Sequence, residues 1–194
     1  MVINDNVTNR KKSGDSWVGK FIGSTSINDL RTPFKESVGM FIERLNDSGA
    51  TVIIAATLRP PERAYLMHWS WMLSNRRVLS KDIPPMIGVN IDWVHETESL
   101  SINAAKNMVR KYGMSSLMVA PALKSRHTEG FAIDMNISWC NNLRIKNNYG
   151  AVFLISTEPK NGMNEHLWDV GKKFNVIKYR GGAKDKPHWS IDGR

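Results

Sequence analysis

The sequence predicts an α+β fold in which a central antiparallel sheet is flanked by helices. Helical periodicity dominates the first half of the chain, where Val38, Phe41, Ile42 and Leu45 recur at the spacing of one helix face. Short runs rich in β-branched residues gather in the second half. Because helices and strands are segregated and do not alternate, this order favours α+β over a doubly wound α/β fold.

Local signals predict the individual elements. Thr32-Pro33 is typical of a helix start, and Gly49 follows the expected end of that helix. The β-branched run over 51–57 predicts a buried strand. The remaining predictions are helices over 60–74, 99–112 and 163–173, a loop over 81–90, and strands over 130–137, 152–156, 176–179 and 187–191.

One domain is predicted from residue 17 to residue 194, after a flexible tail over 1–16. The tail is polar and has no apolar period. No internal repeat and no long linker interrupts the rest of the 194-residue chain, which is long enough to bury its own core. We expect a monomer.

Composition and charge limit the classes of partner and metal site. The formal net charge is +9, so we expect attraction to polyanions such as nucleic acid, anionic lipid or an anionic wall polymer. Cys140 is the single cysteine, which excludes an intramolecular disulfide and zinc sites built on two or four cysteines. A metal would then be held by histidine and carboxylate side chains.

The sequence shows no targeting or membrane segment. No apolar region follows the early basic residues, as a secretory signal requires, and no stretch approaches the roughly 20 apolar residues of a membrane span. We therefore expect synthesis in the cytoplasm without a signal peptide. An extracellular role would depend on release by another route.

Two potential metal ligands, His127 and Asp134, lie in the segment SRHTEGFAID over residues 125–134. If 131–137 is a strand, its side chains alternate between the two faces of the sheet. Ile133 and the other apolar residues then face the core, and Asp134 faces the opposite side. His127 lies in the loop that enters this strand.

A second histidine lies in the segment DKPHWSI over residues 185–191. The same alternation places Trp189 in the core and His188 on the opposite face. Two strands of one sheet can therefore present Asp134 and His188 on a common surface, which His127 can also reach.

These three side chains predict a site for one zinc ion. Two imidazoles and a carboxylate leave the fourth position of a tetrahedral zinc for water, whose pKa the metal lowers toward about 7. Asp185, three residues before His188, is placed to act as a general base. From spacing alone, a buried histidine pair that hydrogen-bonds the backbone is the competing interpretation.

Both segments resemble signatures of the D-Ala-D-Ala carboxypeptidase and endolysin zinc metallopeptidases. Residues 125–134 are similar to the first signature, S-x-H-x-x-G-x-A-x-D. Residues 185–189 resemble the second, an acid followed three residues later by histidine and then tryptophan. The resemblance covers these short stretches and one around 57–59, and it implies a Hedgehog/DD-peptidase-like fold.

The resemblance also implies roles for individual positions. Zinc would be bound by His127, Asp134 and His188, and Asp185 would be the catalytic base. Members of the endolysin-like branch have aspartate at the position of the base, as this chain does, whereas the vancomycin-resistance dipeptidases have glutamate.

A third feature of the family is an arginine just after an early strand. Arg59 follows the strand predicted over 51–57, which implies that it binds substrate and stabilises the transition state. The competing interpretation is that Arg59 merely leads into the next helix. Ser125 and Trp189 are further candidates for contact with substrate.

The resemblance implies hydrolysis of a peptide bond in the stem of bacterial peptidoglycan, most often the L-alanyl-D-glutamate bond. A D-Ala-D-Ala carboxypeptidase and a non-catalytic zinc-containing wall-binding module are the alternatives, and Asp185 argues against the module. No basic helix with base-reading residues is present, so we expect no specific nucleic-acid partner. Such an enzyme would act in the wall or periplasm after holin-type lysis or dedicated secretion.

Overall fold

The computed structural model describes residues 10–147 and 150–194, which form five α-helices and eight β-strands. The helices are α1 (Phe34–Asp47), α2 (Pro61–Ser74), α3 (Glu98–Lys111), α4 (Arg126–Glu129) and α5 (Glu165–Lys173). The strands are β1 (Lys11–Lys12), β2 (Thr51–Ala56), β3 (Ile91–Asp92), β4 (Ala132–Ser138), β5 (Leu143–Lys146), β6 (Val152–Ile155), β7 (Ile177–Lys178) and β8 (His188–Ser190). The predicted α+β class, with a central antiparallel sheet and flanking helices, is confirmed.

The chain divides into two compact units. One unit contains residues 60–123 with the described part of 1–22, and the other contains 23–59 with 124–194. The prediction of one domain over 17–194 stays a prediction, because compactness alone does not show which part folds independently. Within the predicted tail, residues 1–9 lie outside the described residues, whereas β1 pairs with a neighbouring strand.

The first unit is built on α2 and α3, which pack against each other around a shared apolar core. Leu66 from α2 and Met108 from α3 are fully buried in that core. β1 and β3 pair in parallel as a two-stranded ribbon at residues 11–12 and 91–92. The predicted loop over 81–90 contains only a short turn of 3₁₀ helix, Ser80–Asp82, and one isolated bridge, among the described residues.

The second unit contains the four-stranded antiparallel sheet in the order β2-β4-β8-β7. β5 and β6 form a separate hairpin. The apolar face of the sheet packs on α1 and α5, so that Phe41 of α1 meets Trp189 of β8 with ring centroids 5.7 Å apart. The side chains of Ile133 and Met135 enter the same core, as their alternation along β4 predicts.

Two elements of this unit differ from the sequence-based expectation. The strand predicted from residue 130 begins at Ala132, because residues 126–129 form the short helix α4. Strand β5 was not predicted. Its side chains alternate between buried and exposed, and its backbone pairs with β6. No helix among the described residues is both long and apolar enough to cross a membrane.

Candidate metal centre

His127 is positioned by the short helix α4. Ser125 caps this helix, since its hydroxyl accepts from the backbone N–H of Thr128 and the Thr128 hydroxyl pairs with the Ser125 backbone. Gly130 ends it in the left-handed region at φ 77°, where a side chain would meet Arg31 Cγ at 3.1 Å. These two signals confine the helix to four residues, and His127 within it is buried.

Asp134 and His188 are brought together by strand pairing. They are direct Cα partners on β4 and β8, with Ile133 opposite Trp189 beside them. Because side chains alternate along both strands, the apolar pair enters the core and the polar pair shares the other face. The structure therefore brings together the three side chains that the sequence predicts as ligands.

One atom from each side chain points to a common centre. Asp134 Oδ1 lies 3.1 Å from His127 Nε2 and 3.2 Å from His188 Nδ1. The two histidine nitrogens are 3.2 Å apart. Ligands held at about 2.0–2.1 Å around a tetrahedral ion stand about 3.3 Å from one another. The triangle therefore has the dimensions of one face of such a site, and the group can hold a metal ion.

The hydrogen bonds on the outer side of each imidazole determine which nitrogen faces the centre without a proton. His127 Nδ1 donates to the carbonyl oxygen of Thr57 at 2.6 Å, and His188 Nε2 donates to the main-chain oxygen of Arg194 at 3.0 Å. A carbonyl can only accept, so the proton of each neutral ring is assigned to this outer nitrogen. The inward nitrogens of His127 and His188 then present lone pairs, as metal ligation requires.

Charge around the triangle also favours a cation. Burial opposes ionisation of Asp134, but with protons on the inward nitrogens, as in a metal-free site, hydrogen bonds and charge from the two histidines outweigh it and hold the pKa of Asp134 well below its usual range. A bound cation would take the place of those protons. An ionised carboxylate and two imidazole lone pairs at this spacing repel one another unless a cation or an additional proton lies between them. Under the competing interpretation, a histidine pair that only hydrogen-bonds the backbone, an additional proton on one of the rings would have to relieve that repulsion.

Asp185 lies at the edge of this triangle. It ends a 3₁₀ turn, Gly182–Asp185, and its Oδ2 is 3.9 Å from His188 Nδ1. The side chain is half-exposed, so solvent and a substrate can reach it. Partial burial and the negative charge of Asp134 raise the pKa of Asp185 above its ordinary value. A carboxylate in this setting is better suited to exchange protons than one at an ordinary surface position.

The other predicted site residues have different surroundings. The backbone N–H of Arg59 donates to the carbonyl oxygen of His127 at 3.1 Å, which places this partly buried residue beside the centre. The hydroxyl of Ser125 is engaged in capping α4. Trp189 is fully buried against Phe41, so a contact between its ring and a substrate would require the core to open. These contacts give Ser125 and Trp189 structural roles, and contact of either residue with a substrate stays a prediction.

Lys178 is a residue near the centre that sequence reasoning missed. Its amine donates to the carbonyl oxygen of Lys186, and it lies 5.0 Å from the centre of the Trp189 ring. Burial lowers the pKa of Lys178 to about 8, against the opposing charges of Asp185 and Asp134. A signal was available, because Lys178 is two residues after the buried Val176 in the strand predicted over 176–179, and alternation along that strand places both side chains on one face.

No protein-family model and no curated protein matches this chain. Membership of a metallopeptidase family is therefore part of the proposal that follows.

Proposed function

We propose that this protein is a zinc peptidase that hydrolyses a peptide bond in the stem of bacterial peptidoglycan, with the L-alanyl-D-glutamate bond as the first candidate. The observation behind the proposal is the convergence of three inward-facing acceptor atoms beside a half-exposed carboxylate of raised pKa. A cluster with a purely structural role would not require the carboxylate of Asp185 at its edge.

Zinc is the metal that this set of donors suits best. His127, Asp134 and His188 would hold it, and two neutral imidazoles with one carboxylate form a donor set found in zinc hydrolases. When bound there, zinc supplies a Lewis acid that polarises a carbonyl group and lowers the pKa of water. The outer hydrogen bonds to Thr57 and Arg194 would fix the orientation of both imidazole rings.

Asp185 would move the proton in the reaction. Its carboxylate, at the rim of the ligand triangle, would accept a proton from the attacking water and later give it to the amine that leaves. The raised pKa supports both steps, because the same group must take up and release a proton near neutral pH.

Arg59 would meet the negative charge that develops on the substrate. Its backbone bond to His127 ties its position to the metal ligand, and a guanidinium can donate in parallel to a carboxylate or an oxyanion. The net charge of +9 supports attraction to an anionic wall, where the enzyme would act after holin-type lysis or dedicated secretion.

Asp185→Asn tests the assignment of an enzyme against that of a zinc-containing wall-binding module. Because Asp185 lies outside the ligand triangle, the variant is expected to bind zinc as the wild type does. Its rate of peptidoglycan cleavage is expected to fall by about 10²–10⁴-fold. Asp47→Asn, which removes an exposed carboxylate paired with Arg44, is the control and should cleave normally.

The three outcomes of this comparison have different meanings. An Asp185→Asn protein that cleaves at the wild-type rate would remove Asp185 from the mechanism. A wild type that binds zinc and peptidoglycan but cleaves nothing would favour the wall-binding module. Release of terminal D-alanine alone would reassign the activity to a carboxypeptidase.

A further inference from the structure

Asp192 connects two parts of the second unit that each hold a histidine of the metal centre. Its carboxylate accepts from Arg126 through both oxygens, at 3.2 Å from Nε and 2.6 Å from a terminal nitrogen. Arg126 directly precedes His127 in α4. This two-point ion pair is therefore attached to the element that carries the first histidine.

The same carboxylate organises the turn that contacts the second histidine. Asp192 accepts from the backbone N–H of Arg194 at 3.3 Å and from the Arg194 guanidinium at 2.8 Å. The main-chain oxygen of Arg194 in turn accepts from His188 Nε2 at 3.0 Å. The orientation of the His188 ring thus depends on a turn that Asp192 holds closed.

Gly193 makes this turn possible. Its φ of 75° lies in the left-handed region, where a side chain is strained. A Cβ at this position would also meet Ile177 Cγ2 and the Lys178 carbonyl oxygen, each at 3.0 Å. The backbone N–H of Arg180 donates to the Gly193 oxygen at 2.9 Å, which fastens the turn to the strand region beside it.

We propose that Asp192 is a positioning residue for the metal centre, linking the helix that carries His127 to the turn that orients His188. The inference rests on the metal centre of the proposed function, but not on cleavage of peptidoglycan. Asp192 has no contact with the ligand triangle among its hydrogen bonds in the described residues, so its influence passes through Arg126 and Arg194.

A double-mutant cycle on zinc affinity tests this inference. Full-length wild type, Asp192→Asn, Arg126→Lys and the double variant would be titrated with zinc against a competing chelator. Each single variant is expected to bind zinc about 10–100-fold more weakly, as loss of an outer partner of a ligand does. The double variant should lose little more than either single variant, because the two residues act as one unit.

Asp169→Asn is the matched control. It removes a carboxylate of the same unit that forms an exposed ion pair with Lys172, and it should leave zinc affinity unchanged. Asp192→Asn keeps an oxygen that can accept from the Arg194 backbone, which limits the damage to the fold. The unfolding temperature of each metal-free variant shows whether the fold is retained.

Cobalt provides a readout that a general loss of stability would not change. With Co²⁺ in place of zinc, the visible absorption bands of Asp192→Asn and Arg126→Lys should shift relative to the wild type, and those of Asp169→Asn should not. Unchanged zinc affinity and an unchanged cobalt spectrum in both variants would overturn the role of Asp192. A wild type that binds neither metal would overturn this inference and the zinc peptidase together, whereas a zinc-loaded wild type without cleavage would overturn only the peptidase.

Discussion

Asp134 and His188 face each other across two antiparallel strands, with Asp134 Oδ1 3.2 Å from His188 Nδ1. Their neighbours Ile133 and Trp189 face each other in the same register on the opposite side of the sheet. A slip of one residue would exchange these pairs and place the polar side chains in the core. The burial of Trp189 and the assembly of the centre therefore depend on the same strand pairing.

Removal of the carboxylate ligand should abolish stabilisation by zinc. A ligand that binds only the folded state at 100 times its dissociation constant stabilises it by about 2.7 kcal/mol. We expect zinc to raise the unfolding temperature of the wild type and to leave that of Asp134→Asn unchanged. Calorimetry with and without zinc provides the measurement, and an equal shift in both proteins would exclude Asp134 as a ligand.

Gly130 should be required for both the fold and the centre. At its positive φ, Gly130→Ala is expected to cost about 1–2 kcal/mol of unfolding free energy, in addition to displacing Arg31. The displacement of α4 should also weaken zinc binding through His127. Chemical denaturation measures the first effect and chelator competition the second.

Gly39→Ala is a suitable control, because Gly39 lies in α1 with open space around the position of a Cβ. Alanine in the interior of a helix should stabilise the protein by roughly 0.5–1 kcal/mol. If both substitutions changed stability in the same direction, the assigned strain at Gly130 would be wrong.

Trp189 should matter for stability rather than for substrate binding. Trp189→Ala removes a fully buried ring that packs on Phe41, and we expect a loss of about 3–5 kcal/mol in the free energy of unfolding. Trp189→Phe should retain a larger part of the stability and the wild-type KM. A raised KM in Trp189→Phe at wild-type stability would instead indicate direct contact with substrate.

The ion pair between Asp192 and Arg126 should contribute to the free energy of unfolding, and this contribution should be lost in acid. Hydrogen bonds from Arg126 and Arg194 hold the pKa of Asp192 well below its usual range. The pKa of Asp192 in the folded state lies below its unfolded value of about 4. The stability that the ion pair contributes is therefore fully present above about pH 4, and it is lost as the pH falls toward the folded-state pKa.

We therefore expect Asp192→Asn to be less stable than the wild type by roughly 1 kcal/mol near neutral pH. The difference should stay constant from about pH 7 to pH 5 and narrow below about pH 4. Urea denaturation across this range provides the measurement. A difference that widened on acidification would contradict the assigned ion pair.

The sequence predicts all three candidate ligand side chains, because their placement depends on local rules. Because side chains alternate along a strand, Asp134 and His188 lie on one face of the sheet and their apolar sequence neighbours lie on the other. The partners of the imidazole rings could not be predicted, since Thr57 and Arg194 contribute main-chain oxygens that every residue possesses. The sheet order and the two compact units could not be predicted either, because they arise from contacts between residues far apart in the chain.

Digestion of purified peptidoglycan by the full-length protein, followed by mass spectrometry of the fragments, tests the central claim most directly. The reaction would be run as prepared, with a chelator, and with zinc restored after the chelator. We expect new stem-peptide fragments ending in L-alanine or beginning with D-glutamate, which vanish with the chelator and return with zinc. Intact peptidoglycan from several wall types, with zinc shown to be bound to the protein, would contradict the assignment of a peptidase.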